Sequence, residues 1–549
     1  MVCEGTATFK FSPHTIPQER TPIILQKIER SAEEIEKSNT PGPLRIWVDY
    51  SISDVNAQKS DYYWSRYSFT KQTIIQAVLY YSFALTVINQ TPTIKFPDFD
   101  MMYPIPTASI KGQTVACDLY LAYYTFLNPT QTIYGWTSPV HQLANGRIIT
   151  GELNLNLIYV SMTPSASLEL FYLITHEMYH LIVFSNYLFD YYINPLTDAN
   201  LTRQSFWKAN QSLGNISTST VNLSNVLNFA KSFLNDSQLG FVALEALGGT
   251  GSAGSHWEHI YWPTDYMTPT MTMPIELSNL SLAAAVDSGW YTVNPQWVQE
   301  LSYGKGAGRN FQSGKCPDSN IKGFCNKSDL GVQMCVSGSR FKGICYSDST
   351  FSNGCSFIYG FIDCTVVDPY SYTEKHKPLN TSLEYLGPGS RCALLTIQGN
   401  SVATCASVAC DSSGTKLTYS FTNNMSCVCS SDRESSSVQC TGGAQSGTQS
   451  GIQVKCPDVK RFCTGLSTGN NCPSDCNGNG ICLGSRGSKI CFCMYGWTGS
   501  DCSVHNPSQP NLLMRSRWQG NKKRNATVVD SSAFVLVAAC LVLILLILY

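Results

Sequence analysis

The sequence contains few charged residues. Only 14% of its 549 residues are Asp, Glu, Lys or Arg, and the formal net charge is -1. A chain without excess positive charge lacks the field that attracts phosphates, so nucleic-acid binding is not expected. Hydrophobic residues make up 43% of the chain and aromatic residues 11%. This composition is typical of a globular protein with several domains and excludes a largely disordered one.

The first three hundred residues contain almost no cysteine. Only Cys3 and Cys117 lie there, whereas 20 of the 23 cysteines lie between Cys316 and Cys502, and Cys540 stands alone near the end. An even number of cysteines in one region predicts a disulfide framework formed in an oxidising compartment. Glycosylation sequons support the same compartment. They are Asn89, Asn200, Asn210, Asn215, Asn222, Asn235, Asn279, Asn326, Asn380, Asn424 and Asn525.

The first residues lack the basic segment and apolar run of a secretory signal peptide. Because cysteines and sequons independently indicate secretion, we expect the N-terminus to be incomplete. An uncharged apolar run does occupy residues 533–549. We expect it to attach the protein to a membrane, as a transmembrane helix or as the signal for a glycolipid (GPI) anchor. Basic residues precede this run and none follows it, which disfavours a permanent transmembrane helix and favours the glycolipid.

Strand-like and helix-like patterns alternate in the first half of the chain. Residues 44–50, 115–124 and 147–160 are predicted to be strands, and residues 69–87 a helix. This alternation predicts an α/β (α+β) catalytic half that ends near residue 310. The stretch Ile148–Asn156 fits either a sheet edge that could bind an extended peptide or an interior strand.

The segment His176-Glu-Met-Tyr-His180 has the spacing of a hydrolytic zinc site. On a helix, residues four apart share a face, so both histidines can bind one metal ion. Glu177 is displaced around the helix and can reach the attacking water. The flanking residues 168–175 and 181–184 are mostly apolar, so the helix should be buried. Buried polar groups need a partner, and we therefore predict one Zn²⁺ per chain.

A catalytic zinc site needs a third protein ligand. The extended motif with histidine six residues after His180 is absent, because Asn186 occupies that position. A glycine-rich stretch is followed by Ser255-His256-Trp-Glu-His259 and then by Tyr266-Met267-Thr-Pro. His256 and His259 are the two candidates for the third ligand.

These segments resemble the leishmanolysin family of metzincin zinc endopeptidases. In that family a long insertion separates the second and third histidines, the third lies in a Gly-rich Ser-His-Trp-Glu segment, and a Met-turn follows. The resemblance extends from about residue 44 to residue 463. It implies a metzincin-type catalytic domain, His256 rather than His259 as third ligand, and Met267 as the apolar floor beneath the metal. It also implies Glu177 as general base for peptide-bond hydrolysis.

The chain departs from the family pattern at three positions. The family usually has glycine three residues after the second histidine, where this chain has Val183. A β-branched residue resists positive φ, so the turn is either built differently or loosened. Arg309 stands where the family usually has cysteine, and Cys117 lacks an obvious partner.

Tyr266 and Tyr179 could assist at the oxyanion, with packing as the alternative.

Six cysteines near the end resemble an EGF-like module, including the turn Gly-Trp-Thr-Gly between the last two. The resemblance implies the pairs Cys472–Cys482, Cys476–Cys491 and Cys493–Cys502. Fourteen cysteines from Cys316 to Cys463 remain for a second disulfide-rich, mainly β domain. Zinc-ribbon spacing fits these cysteines poorly, so disulfides are expected.

These observations divide the chain into seven parts. They are an N-terminal arm or pro-segment remnant (1–42), a first catalytic subdomain with the zinc helix (43–187), a subdomain with the insertion, third ligand and Met-turn (188–310), a cysteine-rich domain (311–465), the EGF-like module (470–503), a stalk (504–532) and the apolar tail (533–549).

Two functions fit this organisation. The first is a cell-surface zinc endopeptidase that cleaves proteins or peptides, with a role in cell adhesion. The second is an adhesion or recognition protein on a catalytically weak or inactive scaffold of the same family. Retention of three histidines and Glu177 favours the first, and Val183 favours the second. Oligomeric state and substrate preference are not indicated by the sequence.

Overall fold

The computed structural model describes residues 27–28, 41–51, 53, 60–91, 93–95, 114–130, 134–160, 164–194, 196–197, 199–213, 216–249, 252–309, 311–336, 340–348, 350–366, 383–442, 451–467, 472–485 and 487–506. Most of the expected N-terminal arm, most of the stalk and the whole apolar tail lie outside these ranges, as do Cys3 and Cys540. Among the described residues, no helix combines the length and apolar character that crossing a membrane requires.

The first region extends from the N-terminal arm to the helix that carries the zinc motif. Its elements are β1 (Lys27–Ile28), β2 (Gly42–Pro43), β3 (Ile46–Asp49), α1 (Asp61–Ala84), β4 (Leu85–Val87), β5 (Ile94–Lys95), β6 (Thr114–Val115), β7 (Leu119–Phe126), β8 (Gly135–Leu143), β9 (Ile148–Asn156) and α2 (Pro164–Ile182).

A mixed five-stranded sheet organises this region, with the strand order β1-β8-β9-β7-β3. Strands β3, β7 and β9 are parallel to one another, whereas β8 is antiparallel to β9. Strands β7 and β9 are buried along almost their whole length, because one face packs in the main core with α1 and α2. The other face forms a separate apolar cluster with Ile94 of β5 and Val115 of β6. The expected α/β character and the three expected strands are confirmed, with bounds shifted by a few residues.

Strand β9 is an interior strand, so the sheet-edge interpretation of Ile148–Asn156 is wrong. β8 pairs with it along residues 135–142, and the pairing is irregular between Pro139 and Gln142. The sequence pattern gave no prediction of β8, because Pro139 and the polar residues on either side of it interrupt its apolar residues. The outer position next to the zinc helix therefore belongs to β8.

Helix α1 begins eight residues before the predicted helix and ends at Ala84. The side chain of Ser60 caps it by accepting a hydrogen bond of 3.2 Å from the Tyr63 amide. Three of its first four residues, Asp61, Tyr62 and Trp64, are exposed, so this end lacks the regular apolar spacing that marks the buried part. Helix α2 packs so closely on the sheet that a Cβ atom on Gly151 would lie 2.6 Å from Leu181.

The second region contains the insertion, and its last strand pairs with a strand of the first region. Its elements are α3 (Arg203–Phe206), β10 (Trp207–Leu213), β11 (Ile216–Val221), α4 (Ser224–Leu234), β12 (Val242–Ala243), α5 (Asn279–Asp287) and β13 (Tyr291–Val293). Strands β10, β11 and β12 form a small sheet, and β13 pairs with β4 of the first region. The two regions are therefore joined by main-chain hydrogen bonds.

The cysteine-rich region is mainly β. Its elements are β14 (Gln333–Cys335), β15 (Phe341–Tyr346), β16 (Phe357–Asp363), β17 (Ser390–Ile397), β18 (Asn400–Cys410), β19 (Lys416–Ser420), β20 (Met425–Ser430), β21 (Ser437–Gln439), β22 (Thr441–Gly442), β23 (Gln453–Lys455) and α6 (Val459–Ser467).

Disulfides stabilise this region and the module that follows it. The seven pairs of the cysteine-rich region are Cys316–Cys355, Cys325–Cys345, Cys335–Cys392, Cys364–Cys405, Cys410–Cys463, Cys427–Cys440 and Cys429–Cys456. The EGF-like module has two small hairpins, β24 (Gly480–Leu483) with β25 (Ile490–Cys493) and β26 (Trp497–Thr498) with β27 (Val504–His505). It is joined internally by Cys472–Cys482, Cys476–Cys491 and Cys493–Cys502.

One apolar core runs through all these parts. It includes Leu44 and Ile174 of the first region, Phe324 and Phe357 of the cysteine-rich region, and Phe492 of the EGF-like module. The predicted end of the catalytic unit near residue 310 is therefore not a boundary of the core. A second, smaller core lies within the seven-stranded sheet of the cysteine-rich region.

Candidate metal centre

Three histidine side chains from two distant segments meet at one buried point. The Nε2 atom of His180 lies 2.9 Å from that of His176 and 3.1 Å from that of His256, and the third separation is 3.2 Å. All three residues are almost completely buried. The two regions that carry them are brought together by the loop between β12 and α5, which folds back against α2.

The outer nitrogen of each imidazole faces a main-chain carbonyl. The Nδ1 atoms of His176, His180 and His256 lie 2.5, 2.6 and 3.1 Å from the carbonyls of Tyr266, Phe184 and Ser252. A carbonyl can only accept, so Nδ1 carries the proton in each ring. The Nε2 lone pairs then converge, which is how metal-binding histidines are oriented by their outer hydrogen bonds.

The geometry fits a tetrahedral zinc ion. Three nitrogens at about 2.1 Å from one zinc ion are separated by about 3.4 Å in a tetrahedral arrangement. The observed separations are slightly shorter. A zinc ion held by these three side chains would keep a fourth position for water or substrate. Among the described residues, this is the one histidine cluster whose ligand atoms lie close enough together to hold a metal ion.

His259, the rival candidate for the third ligand, does not belong to this cluster. Its ring lies 5.1 Å from the ring of Phe357, and its Nδ1 atom is 3.3 Å from the hydroxyl of Thr270. Burial lowers the pKa of His259 to about 3, so the ring is neutral. Its position is that of a core residue.

Glu177 is buried next to the histidines without belonging to the cluster. Its main-chain carbonyl accepts a hydrogen bond of 2.9 Å from Thr137 of β8, which fixes this turn of the helix against the sheet. A Cβ atom on Gly135 of β8 would lie 3.9 Å from the Glu177 side chain. Burial raises the pKa of Glu177 well above that of an exposed glutamate.

The turn at Met267, which the sequence predicts to be a Met-turn, is held by a buried carboxylate. Asp265 accepts hydrogen bonds of 2.7 Å from the Met267 amide and 2.6 Å from the Ser281 hydroxyl. The Met267 carbonyl accepts a hydrogen bond of 3.0 Å from the amide of Trp257, the residue after His256. Met267 is fully buried. The turn is therefore tied directly to the segment that carries the third histidine.

The two tyrosines considered as oxyanion partners have structural contacts. The hydroxyl of Tyr179 donates to the Ser281 carbonyl at 2.5 Å, and the residue is completely buried. Tyr266 contributes its carbonyl to His176, and its ring packs against Tyr179 at 5.4 Å. Both positions agree with the packing alternative.

The turn after the zinc motif is built without glycine. Val183 is not among the described residues with positive φ, and its amide donates to the Tyr179 carbonyl at 2.8 Å. The Phe184 amide donates to the same carbonyl at 2.9 Å, and the Phe184 carbonyl then faces His180. Val183 is fully buried. The sequence left two possibilities for this turn, that it is built differently or that it is loosened. The structure shows a turn that is built differently, with no strained backbone at Val183.

The other two departures lie away from the histidines. Arg309 is exposed, and Cys117 is buried beside the first sheet. Cys117 forms no disulfide with any described residue.

Sequence reasoning missed β8, whose residues Gly135 and Thr137 contact the motif helix at Glu177. The glycine was the available signal, because a residue without Cβ permits close backbone approach. It also missed the contacts of the EGF-like module, for which no local pattern exists.

A mixed sheet above a helix with two histidines, a distant third histidine and a buried glutamate defines a zinc-peptidase type of site. The family model for leishmanolysin matches residues 64–472, about three quarters of the chain, and a model for the teneurin-like EGF domain matches residues 472–505. The chain therefore belongs to the leishmanolysin family, a family of zinc metalloproteases. This confirms the family resemblance and the EGF-like module.

Individual relatives match over different lengths. Leishmanolysin of Leishmania major is 22% identical over 433 residues, which cover 70% of this chain and 65% of the relative. The ciliated left-right organizer metallopeptidase of Xenopus laevis is 39% identical over 115 residues, covering 20% of this chain and 15% of the relative. A leishmanolysin-like peptidase of Drosophila melanogaster is 34% identical over 106 residues, covering 18% and 16%. The chain thus spans less than two thirds of the length of these relatives.

Proposed function

We propose that this protein is a zinc-dependent endopeptidase of the cell surface, with His176, His180 and His256 as zinc ligands and Glu177 as general base. The main observation in support of this proposal is that the Nε2 atoms of the three histidines lie within 3.2 Å of one another while each Nδ1 atom faces a main-chain carbonyl. Membership of a zinc metalloprotease family supports the same function.

The residues of the site divide the chemistry among them. His176, His180 and His256 would hold the zinc ion, which when bound would lower the pKa of a water to about 7 and polarise the scissile carbonyl. Glu177 removes a proton from the attacking water and later gives it to the departing amine. Met267 forms the apolar floor of the site.

An extended peptide has a place to bind along β8. Among the described residues, β8 pairs with β9 on one side and on the other only with the short β1, at Gln142 and Leu143. The outer edge of residues 135–140 can therefore offer main-chain hydrogen bonds to a substrate strand. Gly135 and Thr137 place this edge beside Glu177.

The proposed cell-surface location follows from the disulfides and sequons. The apolar residues 533–549 are the proposed membrane attachment, and release from cells by a phosphatidylinositol-specific phospholipase distinguishes the glycolipid anchor from a transmembrane helix. The competing proposal is an inactive adhesion protein. A site that keeps all three histidines and Glu177 in register favours the peptidase.

One experiment separates the two proposals. The purified protein is expected to contain about one zinc per chain and to digest an unfolded protein. Glu177→Ala should abolish digestion and keep the zinc, because the carboxylate is not a ligand. Glu169→Ala, two turns earlier on the same helix, is the matched control and should retain activity. A well-folded sample that takes up no zinc would refute the peptidase proposal.

A further inference from the structure

The EGF-like module touches the helix that carries the zinc motif. The ring of Phe492 lies 5.8 Å from the ring of Phe171, which is five residues before His176 on α2. The same ring lies 6.4 Å from Tyr80 of α1 and 5.6 Å from Trp297. Phe492, Phe171 and Tyr80 are all almost completely buried. The module therefore contributes a core side chain between two helices of the catalytic region.

Polar contacts show that the interface is specific. Gln76 of α1 is buried, and its side-chain amide donates a hydrogen bond of 2.9 Å to the carbonyl of Cys493. At the other end of the β24–β25 hairpin, the Gly484 amide donates to the Val298 carbonyl at 2.9 Å. The module therefore both buries the Gln76 amide and supplies its hydrogen-bond acceptor.

A second element holds the module from the cysteine-rich region. Arg391 of β17 forms two hydrogen bonds of 2.8 Å with the carboxylate of Asp475, and both side chains are largely buried. The Gly389 amide donates to the same carboxylate at 3.2 Å. Paired bonds between a guanidinium and a carboxylate fix orientation as well as position. The module is thus held on two sides.

These contacts lead to the metal ligands. Gln76 and Tyr80 of α1 contact the module, and the next residue, Tyr81, donates to the carbonyl of Thr175 at 2.5 Å. Thr175 directly precedes His176 on α2. The second route runs through Phe171, whose carbonyl accepts from the Thr175 hydroxyl at 2.9 Å. Both routes end at the turn of α2 that carries His176.

We propose that the EGF-like module is a fixed part of the catalytic unit and that Phe492 is a positioning residue for the zinc helix. The module braces α1 and α2 from behind, and its removal would expose the aromatic cluster and leave Gln76 without its acceptor. This inference rests on the proposed zinc function for its effect on the metal. The docking itself is independent of zinc.

The first test compares Phe492→Ala with Phe462→Ala in the full chain. Phe462 is partly buried and packs on Tyr419 against the second core, away from the zinc helix, so it controls for the loss of an aromatic contact elsewhere in the chain. Phe492→Ala should lose zinc to a chelator about tenfold faster than the parent, with a lower kcat and unchanged KM, as for other changes behind metal ligands. Phe462→Ala should lose zinc at the parental rate and keep the parental kcat. Phe492→Leu should largely restore zinc retention. Parental zinc retention and kcat in Phe492→Ala would overturn the positioning role.

The second test needs no metal. The three disulfides of the module are internal to it, so a protease site inserted within residues 468–471 allows its covalent link to the preceding chain to be cut. The two pieces should co-elute in gel filtration after the cut, and Phe492→Ala together with Arg391→Ala should release them. If the two pieces of the cut protein without these substitutions separated under native conditions, the module would be independent and the docking would be refuted. A zinc-free but co-eluting protein would refute the peptidase proposal alone.

Discussion

The hydroxyl of Tyr81 donates a hydrogen bond of 2.5 Å to the main-chain carbonyl of Thr175, the residue before His176. This bond joins the long helix α1 to the zinc helix at the turn that carries the first histidine. Both residues are completely buried. The position of His176 therefore depends on α1 as well as on the sequence of its own helix.

Tyr81→Phe should weaken this connection. Loss of one buried hydrogen bond is expected to cost about 1 kcal/mol in the free energy of unfolding and to speed zinc loss to a chelator. The matched control is Tyr63→Phe on the same helix, whose hydroxyl donates to the Thr125 carbonyl at 3.1 Å, away from the zinc helix. Both variants should lower the melting temperature, but only Tyr81→Phe should alter zinc retention. Equal zinc retention in the two variants would contradict the link.

Substitution of the two candidate third histidines should give different results. His256→Ala should remove zinc, because two remaining ligands hold the ion weakly. His259→Gln should keep about one zinc per chain and show mainly reduced stability, since this ring packs against Phe357. Metal analysis of the purified variants, with circular dichroism to confirm folding, distinguishes them. Zinc loss in a folded His259→Gln sample would point to the other ligand.

Val183→Gly should destabilise the protein even though family members usually have glycine there. The valine is fully buried and free of positive φ, so the change removes apolar contact and adds unfolded-state entropy, at a cost of about 2–3 kcal/mol. Val183→Ala separates the two contributions, because it removes most of the side chain and little backbone restriction. Thermal denaturation measures both. Higher activity or stability of Val183→Gly would show that valine strains the turn.

Cys117 should be unreactive in the native protein. Burial raises the pKa of its thiol, so the thiolate that reacts with alkylating reagents is scarce at pH 8. Mass spectrometry should find Cys117 unlabelled after iodoacetamide treatment under native conditions and labelled after unfolding in denaturant. Rapid native labelling would show that this part of the sheet opens readily.

Local spacing was sufficient to predict part of the site. His176 and His180 are one helical turn apart, so their shared face follows from helix geometry alone. The alternating pattern of Ile148–Asn156 likewise predicted a strand, which the structure confirms. Whether that strand lay at an edge could not be predicted, because the answer depends on whether β8 pairs beside it. In β8, Pro139 and the neighbouring polar residues obscure the apolar alternation of a strand.

The sequence by itself determined the family, the disulfide-rich second half and the helix with two histidines, because these depend on residue types at short spacing. Tertiary structure decided the rest. It brought the Nε2 atom of His256 within 3.1 Å of that of His180 and set Phe492 behind the zinc helix. These relationships join residues tens to hundreds of positions apart, and such contacts arise from packing of the whole core, which no local pattern records.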